Sequence, residues 1–452
     1  MRPPKPEPRP DRVSFRRYLR LFRRDILSAQ PARLYRARMA EFRTPFFRSY
    51  LVNEPDLIRE VLVRRPGDFP KSSRISAGLI PLLGRHSVFV TNGAEWERQR
   101  RIIDPAFQGG RVRDSFPAMA AAVSEAAARL DDGLFEAEAF CSHLAADIIF
   151  RTLFSIPITD ATAQAVFLAF QDYQASAPIL NLAAFVPVLP ALHRRRTRVS
   201  ARAIRKLIAG LVDRRMRQIE AGDAPDDLAT RILTTADPET GECFSRDEMI
   251  DQVAIFFLAG HETSASALGW ALYLVACDPE VQDRLADEVS ELPDNPEFSD
   301  ISALNLTRDV FREALRLYPP VPMMVRDASR AEQFRDRDLR PGSQIVISPW
   351  HVHRHERIWD RPDAFEPGRY ATEAGRKCMR ETFLPFSAGA RVCVGAGFAM
   401  AEGVLALAML VRAFRFSPVA DRQPQPRAHL TVRSANGIWL EAWRRRQGAS
   451  KV

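Results

Sequence analysis

The chain has 452 residues, is 46% hydrophobic and 27% charged, and carries a formal charge of +9, mostly through arginine. That is the composition of a globular protein with two or three domains or one large core. The arginines are scattered and no zinc-finger spacing or RNP-type aromatic motif accompanies them, so nucleic acid is not an expected partner; an acidic protein or an anionic membrane surface suits the charge better.

Residues 1–12 are proline-rich and charged and read as disordered. No apolar run follows Met1, so no signal peptide is expected. Phe15, Tyr18, Leu19 and Phe22 recur at helical spacing between arginines. They predict an amphipathic helix, lying on the protein body or on a membrane surface. Arg48–Val52 reads as a short strand, with a helix after Asn53-Glu54-Pro55. Residues 71–92 read as an irregular loop with an apolar middle, Ile75–Leu83. The next helix places Trp96 and Arg100 four apart on one face. Further helices are expected over Asp114–Leu130, Phe135–Leu153 and Phe167–Ala175. The uncharged stretch Pro178–Leu192 is too short and too broken by prolines to span a bilayer. It reads as a loop folded onto the core, or as a lid over an apolar pocket that touches lipid.

Ser245-Arg246-Asp247-Glu248 is a capping box. The helix it opens runs to about Cys277, roughly 45–50 Å at 1.5 Å per residue. Gly260-His261-Glu262-Thr263 in its apolar centre argues against a membrane span and for a buried core helix. A glycine there costs about 1 kcal/mol relative to alanine, so it needs a reason. Two readings of Glu262-Thr263 stand side by side. Thr263 bonds back to its own helix, or the two form an acid–alcohol pair that feeds protons to bound oxygen. Glu313 and Arg316 share a face of the helix Leu306–Leu317, which Pro319-Pro320 ends. Met323–Arg326 and Gly342–Ser348 read as strands. The two methionines are core filler or the wall of an adaptable pocket. His351 and His355 are helically spaced, but no further ligand completes a metal pattern. Ser434-Ala435-Asn436-Gly437 is a turn between short strands.

The five cysteines, Cys141, Cys243, Cys277, Cys378 and Cys393, are odd in number and far apart. They suit a reducing compartment better than a disulfide framework. Cys393 differs from the others. It lies in Phe386-Ser387-Ala388-Gly389-Ala390-Arg391-Val392-Cys393-Val394-Gly395, just before the apolar helical run Phe398–Phe414. Free N–H groups and the positive helix end there favour a thiolate. Gly389 and Gly395 permit a sharp turn and a close approach to something flat. Arg391 offers a cationic fork to a carboxylate.

This ten-residue pattern, F-x-x-G-x-R-x-C-x-G, resembles the haem-binding loop of the cytochrome P450 superfamily. The resemblance covers about residues 45–445, with five motifs in the family's order. It implies a mainly α fold with a small β region, in which haem lies between a long central helix and the Cys-loop helix. One catalytic domain, 45–445, would be flanked by a basic, proline-rich segment, 1–44, and a tail, 446–452. Haem b would be ligated by the Cys393 thiolate and contacted by Phe386, Gly389 and Gly395. Ala259-Gly260-His261-Glu262-Thr263 resembles the A/G-G-x-D/E-T oxygen-activation motif, with Glu262 and Thr263 catalytic and Ala259 and Gly260 against the cofactor. Trp96, Arg100, Arg326 and Arg391 would hold the propionates, with help from His86. Glu313, Arg316 and Arg369 (in Phe365–Tyr370) would form the structural lock. The stretch 178–192 matches the access lid, and Ser434–Gly437 the tip that enters the substrate pocket.

The implied reaction inserts one atom of O2 into a lipophilic molecule such as a fatty acid, terpenoid or carotenoid. Electrons would come from a separate acidic ferredoxin or flavodoxin with its reductase, in the cytoplasm or at a membrane surface. A peroxide-driven enzyme, an O2-independent one, and a haem sensor or carrier are the alternatives. The first two fit poorly with an intact Glu262-Thr263, and the third has no use for it.

Overall fold

The computed structural model describes residues 1–43, 48–108, 110–176 and 195–445. The architecture is mainly helical, as expected, with small sheets at the edge. Its axis is the helix Arg246–Ala276, whose 31 residues span roughly 46 Å. The Ser245–Glu248 capping box is formed, and most of the helix is buried. Gly260 and Gly269 let it approach the helix Ala137–Phe154 closely. A Cβ on Gly260 would lie 3.0 Å from Ile149 Cδ1, and one on Gly269 would lie 3.4 Å from Glu138 Cγ. This close packing is the reason for a glycine in the apolar centre.

A second core helix, Ala396–Ala413, packs beside it. It is long and apolar enough to cross a membrane, but most of it is buried inside the protein. Four strands make the main sheet, in the order Met39–Arg43, Arg48–Val52, Gln344–Ile347, Met324–Asp327. The pairing of the second and third is parallel and the other two are antiparallel.

Several expectations are corrected. Residues 1–12 are held against the body rather than disordered. The buried Tyr318 hydroxyl donates to the Pro4 carbonyl at 2.7 Å, Phe365 N–H donates to Met1 O at 3.0 Å, and Lys5 pairs with Asp363. Proline fixes φ in advance, so ordering this tract costs little backbone entropy. The helix Phe15–Arg24 forms, capped by Ser14, and its Phe15, Tyr18 and Phe22 line the central cavity. The loop at 71–92 contains two short helices, Ser73–Ser76 and Ile80–Leu83. The second ends at Gly84, where φ is +74° and a Cβ would lie 1.9 Å from Asp251 Oδ1. The helix expected from Phe135 starts at Ala137, because Gly133–Glu136 pairs as a strand with Trp439–Arg444. A basic helix, Arg195–Ala221, was not anticipated. The lid stretch 178–192 and the tail 446–452 lie outside the described residues.

Candidate active site

Cys393 opens onto a cavity of about 890 Å³ that lies between the long helix and the loop before Ala396–Ala413. Its loop is closed by Cys393 N–H donating to Phe386 O at 2.9 Å and Val392 N–H donating to Gly389 O at 3.0 Å. Gly389 has φ +70°, and a Cβ there would lie 2.0 Å from the Leu62 carbonyl oxygen. Only glycine fits, since backbone on both sides has no room to yield. Gly389→Ala is expected to destabilise the protein by about 3 kcal/mol, combining left-handed strain with overpacking. The check is a lower thermal midpoint with haem content falling in parallel. At Gly395, by contrast, an added Cβ would meet no protein atom within 4 Å. Its open side is cavity.

Burial pushes the Cys393 thiol up, against the opposing pull of the Gly395 N–H and the Arg100 charge. The Gly395 N–H and the Arg100 charge thus pull toward the thiolate, as the helix end was expected to do. A bound cation is what deprotonates such a thiol.

Four basic side chains gather at the edge of this cavity. The guanidinium carbons of Arg391 and Arg100 lie 5.1 and 5.7 Å from the Trp96 ring centroid, and Lys71 Nζ lies 5.7 Å from it. Arg326 joins them through the bridge pairing Lys71 with Arg326. Arg100 is partly neutralised by Asp104 at 2.6 Å. Arg391 donates to Pro66 O at 2.6 Å, Arg326 to Val325 O at 3.1 Å and Lys71 to Val88 O at 2.7 Å. Among the described residues no carboxylate pairs with these three, and the buried Nε atoms of Arg326 and Arg391 have no partner. Burial, then the charges of Arg391, Arg326 and Arg100, push Lys71 down to about 6. Burial and Arg391 push Arg326 down to about 10. A cluster this short of negative charge is built to receive an anion such as a pair of carboxylates. Lys71 was missed from sequence, where Phe69-Pro70-Lys71 has no pattern. His86, expected to assist, instead pairs with Glu95 at 2.7 Å and does not line the cavity.

The opposite wall carries Ala259, Gly260, Glu262 and Thr263. Thr263 donates to Ala259 O at 2.5 Å, while Glu262 Oε1 accepts from the Thr431 hydroxyl at 2.8 Å. Acid and alcohol are thus neighbours that are not bonded to each other. The turn that reaches the cavity is His429–Thr431, not Ser434–Gly437. The latter is tied elsewhere, by Ser434 N–H to Glu138 and Asn436 to Gln423 O. Strand register decides this: the hairpin Pro426–Ala428/Val432–Ser434 puts its own turn over the cavity.

Glu402 was also missed. It is fully buried, accepts from Ser264 Oγ at 2.8 Å, and its second oxygen has no partner. Burial raises it to about 8. A lone carboxylate in the apolar run Phe398–Phe414 was the available signal. Ile75, Leu79 and Pro320–Val325 also line the cavity.

Beneath the loop, Glu313 binds Arg316 through both oxygens at 2.7 and 2.8 Å and accepts from Arg369 at 2.9 Å and Tyr370 at 3.0 Å. His353 links this lock to the cysteine loop. Burial and then Arg316 hold it neutral, down to about 3. Its Nε2 accepts from Leu384 N–H at 2.8 Å and its Nδ1 faces Arg316 O at 3.2 Å. His351 meets Ser348 and His355 faces Ala37 O. No cluster of metal-holding side chains exists among the described residues.

The family model for cytochrome P450 matches residues 42–440. The chain belongs to the cytochrome P450 family. As a P450 it is a haem-thiolate monooxygenase, using O2 and electrons from a redox partner. It is 32% identical over 401 residues to cyclooctatin synthase of Streptomyces melanosporofaciens, covering 85% of this chain and 84% of the relative. A second protein of that organism, cyclooctat-9-en-7-ol 5-monooxygenase, is 31% identical over 84% of this P450 and 83% of its own length. Pentalenene oxygenase of Streptomyces avermitilis is 30% identical over 85% of both chains.

Proposed function

We propose that this P450 hydroxylates a lipophilic terpenoid, with Cys393 as the thiolate that would hold haem b. The observation that carries this reading is the shared cavity: an accessible cysteine, a carboxylate-seeking cation cluster and an acid–alcohol wall all face one apolar space. Arg100, Arg326, Arg391 and Lys71, with Trp96, would hold the two propionates. Phe386, Gly389 and Gly395 would shape the loop against the ring, and Ala259 and Gly260 would face its other side. When bound, haem supplies the oxygen-binding iron, and thiolate ligation favours O–O cleavage. One oxygen atom enters the substrate and the other leaves as water, consuming two electrons and two protons. Glu262 and Thr263 deliver those protons. The apolar lining, including Met323 and Met324, excludes water and receives a hydrocarbon.

Residues 45–445 act as one catalytic domain. Electrons come from an acidic ferredoxin or flavodoxin and its reductase, drawn by the +9 charge. The five cysteines are all free, which suits the reducing cytoplasm. The names of the three Streptomyces relatives favour terpenoids over fatty acids or carotenoids.

Titration with a panel of terpene hydrocarbons and fatty acids, read by the haem Soret band, tests the substrate class. Terpenes are expected to shift the band at low concentration. A shift caused only by compact polar molecules would contradict the proposal. Thr263→Ala is expected to raise hydrogen peroxide released per NADH, because losing a general acid–base contribution of about 10²–10⁴-fold leaves peroxide release as the faster path. An unchanged ratio would remove Thr263 from the proton path.

A further inference from the structure

From the helix Phe15–Arg24 we infer that this chain docks on an anionic lipid bilayer, through a stripe of arginines beside the opening of the cavity. The docking does not depend on which substrate is taken.

The ten residues of this helix include five arginines and no acid. Helical spacing sorts them into two faces. Phe15, Tyr18 and Phe22 fall on one face and line the cavity. Arg16, Arg20, Arg23 and Arg24 fall on the other, with Arg17 at its edge, and all five are exposed. Their charge serves no partner within the protein. Among the described residues none of the five is in an ion pair. The acids nearest in sequence are already taken. Asp11 lies 3.7 Å from Arg33, and buried Asp25 accepts from the N–H groups of Leu27, Ser28 and Ala428. Local stability accounts only for Arg23 and Arg24, which stand in the last turn. Arg16 and Arg17 stand in the first, where the helix dipole disfavours cations. Arg16 and Arg20, and again Arg20 and Arg24, are like charges four apart, and these repel. An external anionic surface relieves both penalties.

The platform is held at both ends. Ser14 Oγ accepts from Arg17 N–H at 3.3 Å; Asp25 N–H donates to Leu21 O at 2.8 Å and Ile26 N–H to Ala428 O at 3.1 Å. Arg12 and Phe15 are exposed and also line the cavity, so the cavity reaches the surface beside the helix. That position favours a bilayer over an acidic protein as the occupant, because docking sets the opening against the phase in which apolar molecules dissolve. The aromatic face is committed to the cavity wall. Attachment is therefore electrostatic, without insertion, and salt weakens it.

The test uses the full, haem-loaded chain with vesicles of phosphatidylglycerol and phosphatidylcholine, or of phosphatidylcholine alone, and reads binding by flotation. Wild type is expected to bind the anionic vesicles and to ignore the neutral ones. It should leave the anionic ones in about 0.5 M salt, where charges are screened within a few ångströms. Arg16→Gln, Arg17→Gln and Arg20→Gln combined should lower the affinity roughly a hundredfold, at about fivefold per surface charge. Glutamine is as good a helix former as arginine, so haem content and thermal midpoint should not change. Arg376→Gln, Lys377→Gln and Arg380→Gln combined remove as much exposed charge from the helix Glu373–Thr382 and should bind as wild type does. So should Arg16→Lys, Arg17→Lys and Arg20→Lys combined. If the first triple variant loses haem, Arg20→Glu alone replaces it, with an expected loss of at least tenfold. Equal binding to neutral vesicles, wild-type binding by the first triple variant, or an equal loss in the Glu373–Thr382 variant overturns the proposal. A first triple variant that loses affinity for an acidic ferredoxin but keeps its affinity for vesicles overturns it too, and gives the surface to a protein. If no terpene shifts the Soret band while the vesicle results hold, the substrate reading alone has failed.

Discussion

Cys393→Ala abolishes the red-shifted Soret band that thiolate ligation gives the reduced, carbon monoxide-bound protein, and oxygen insertion is lost with it. Among the described residues Cys393 is the one cysteine that lines the cavity; Cys141 is fully buried elsewhere and Cys243, Cys277 and Cys378 do not line it. The fold should survive. The loop is held by Cys393 N–H to Phe386 O and by the Gly389 turn, and alanine keeps both. The cation cluster is also untouched, so haem is expected to remain bound with a spectrum lacking the thiolate signature. A Cys393→Ala protein that keeps the red-shifted band would place the iron ligand elsewhere.

Glu313→Gln produces the largest loss of stability, about 3–5 kcal/mol, because it leaves buried guanidinium charge unpaired. Glu313 and Arg316 are both 0% exposed and Arg369 only 7%. Burial alone raises the Glu313 carboxyl, but Arg316 and then Arg369 outweigh it, and the group lies below its ordinary value. A folded pKa below the unfolded one gives stability that is present above the unfolded value, about 4.3, and is lost as pH falls through the folded value. Glu313→Gln should therefore show a lower thermal midpoint at neutral pH and a smaller difference from wild type in acid. Its haem content should also fall, since His353 connects Arg316 O to Leu384 N–H at the entry to the cysteine loop. A neutral-pH midpoint equal to wild type would show the charge to be dispensable.

The features that the sequence made legible are those written locally. The cysteine loop, the 259–263 stretch and Glu313/Arg316 each lie within one turn or one helix face, where spacing fixes geometry. Trp96 and Arg100 belong to the same class. What escaped was assembled across the chain. Lys71 joins Arg326, Arg391 and Trp96 only because a bridge and a loop bring them together. Thr431 reaches Glu262 across 169 positions, and Glu402 meets Ser264 across 138. No local spacing announces such pairs. The errors have the same origin. Residues 1–12 look disordered by composition but are fastened by Tyr318 and Asp363. Gly133–Glu136 yields to a strand partner more than three hundred residues away. The choice between two turns near the C-terminus depended on hairpin register, which a short polar strand specifies weakly.

The most direct test of the account is isotopic. The holoenzyme, supplied with NADH and a ferredoxin system, would turn over whichever panel hydrocarbon shifts the Soret band most, under 18O2 in ordinary water. The account predicts one labelled oxygen atom per product molecule, with the other atom of O2 recovered as labelled water. Product oxygen drawn from unlabelled water, or the same product formed without O2, would contradict it.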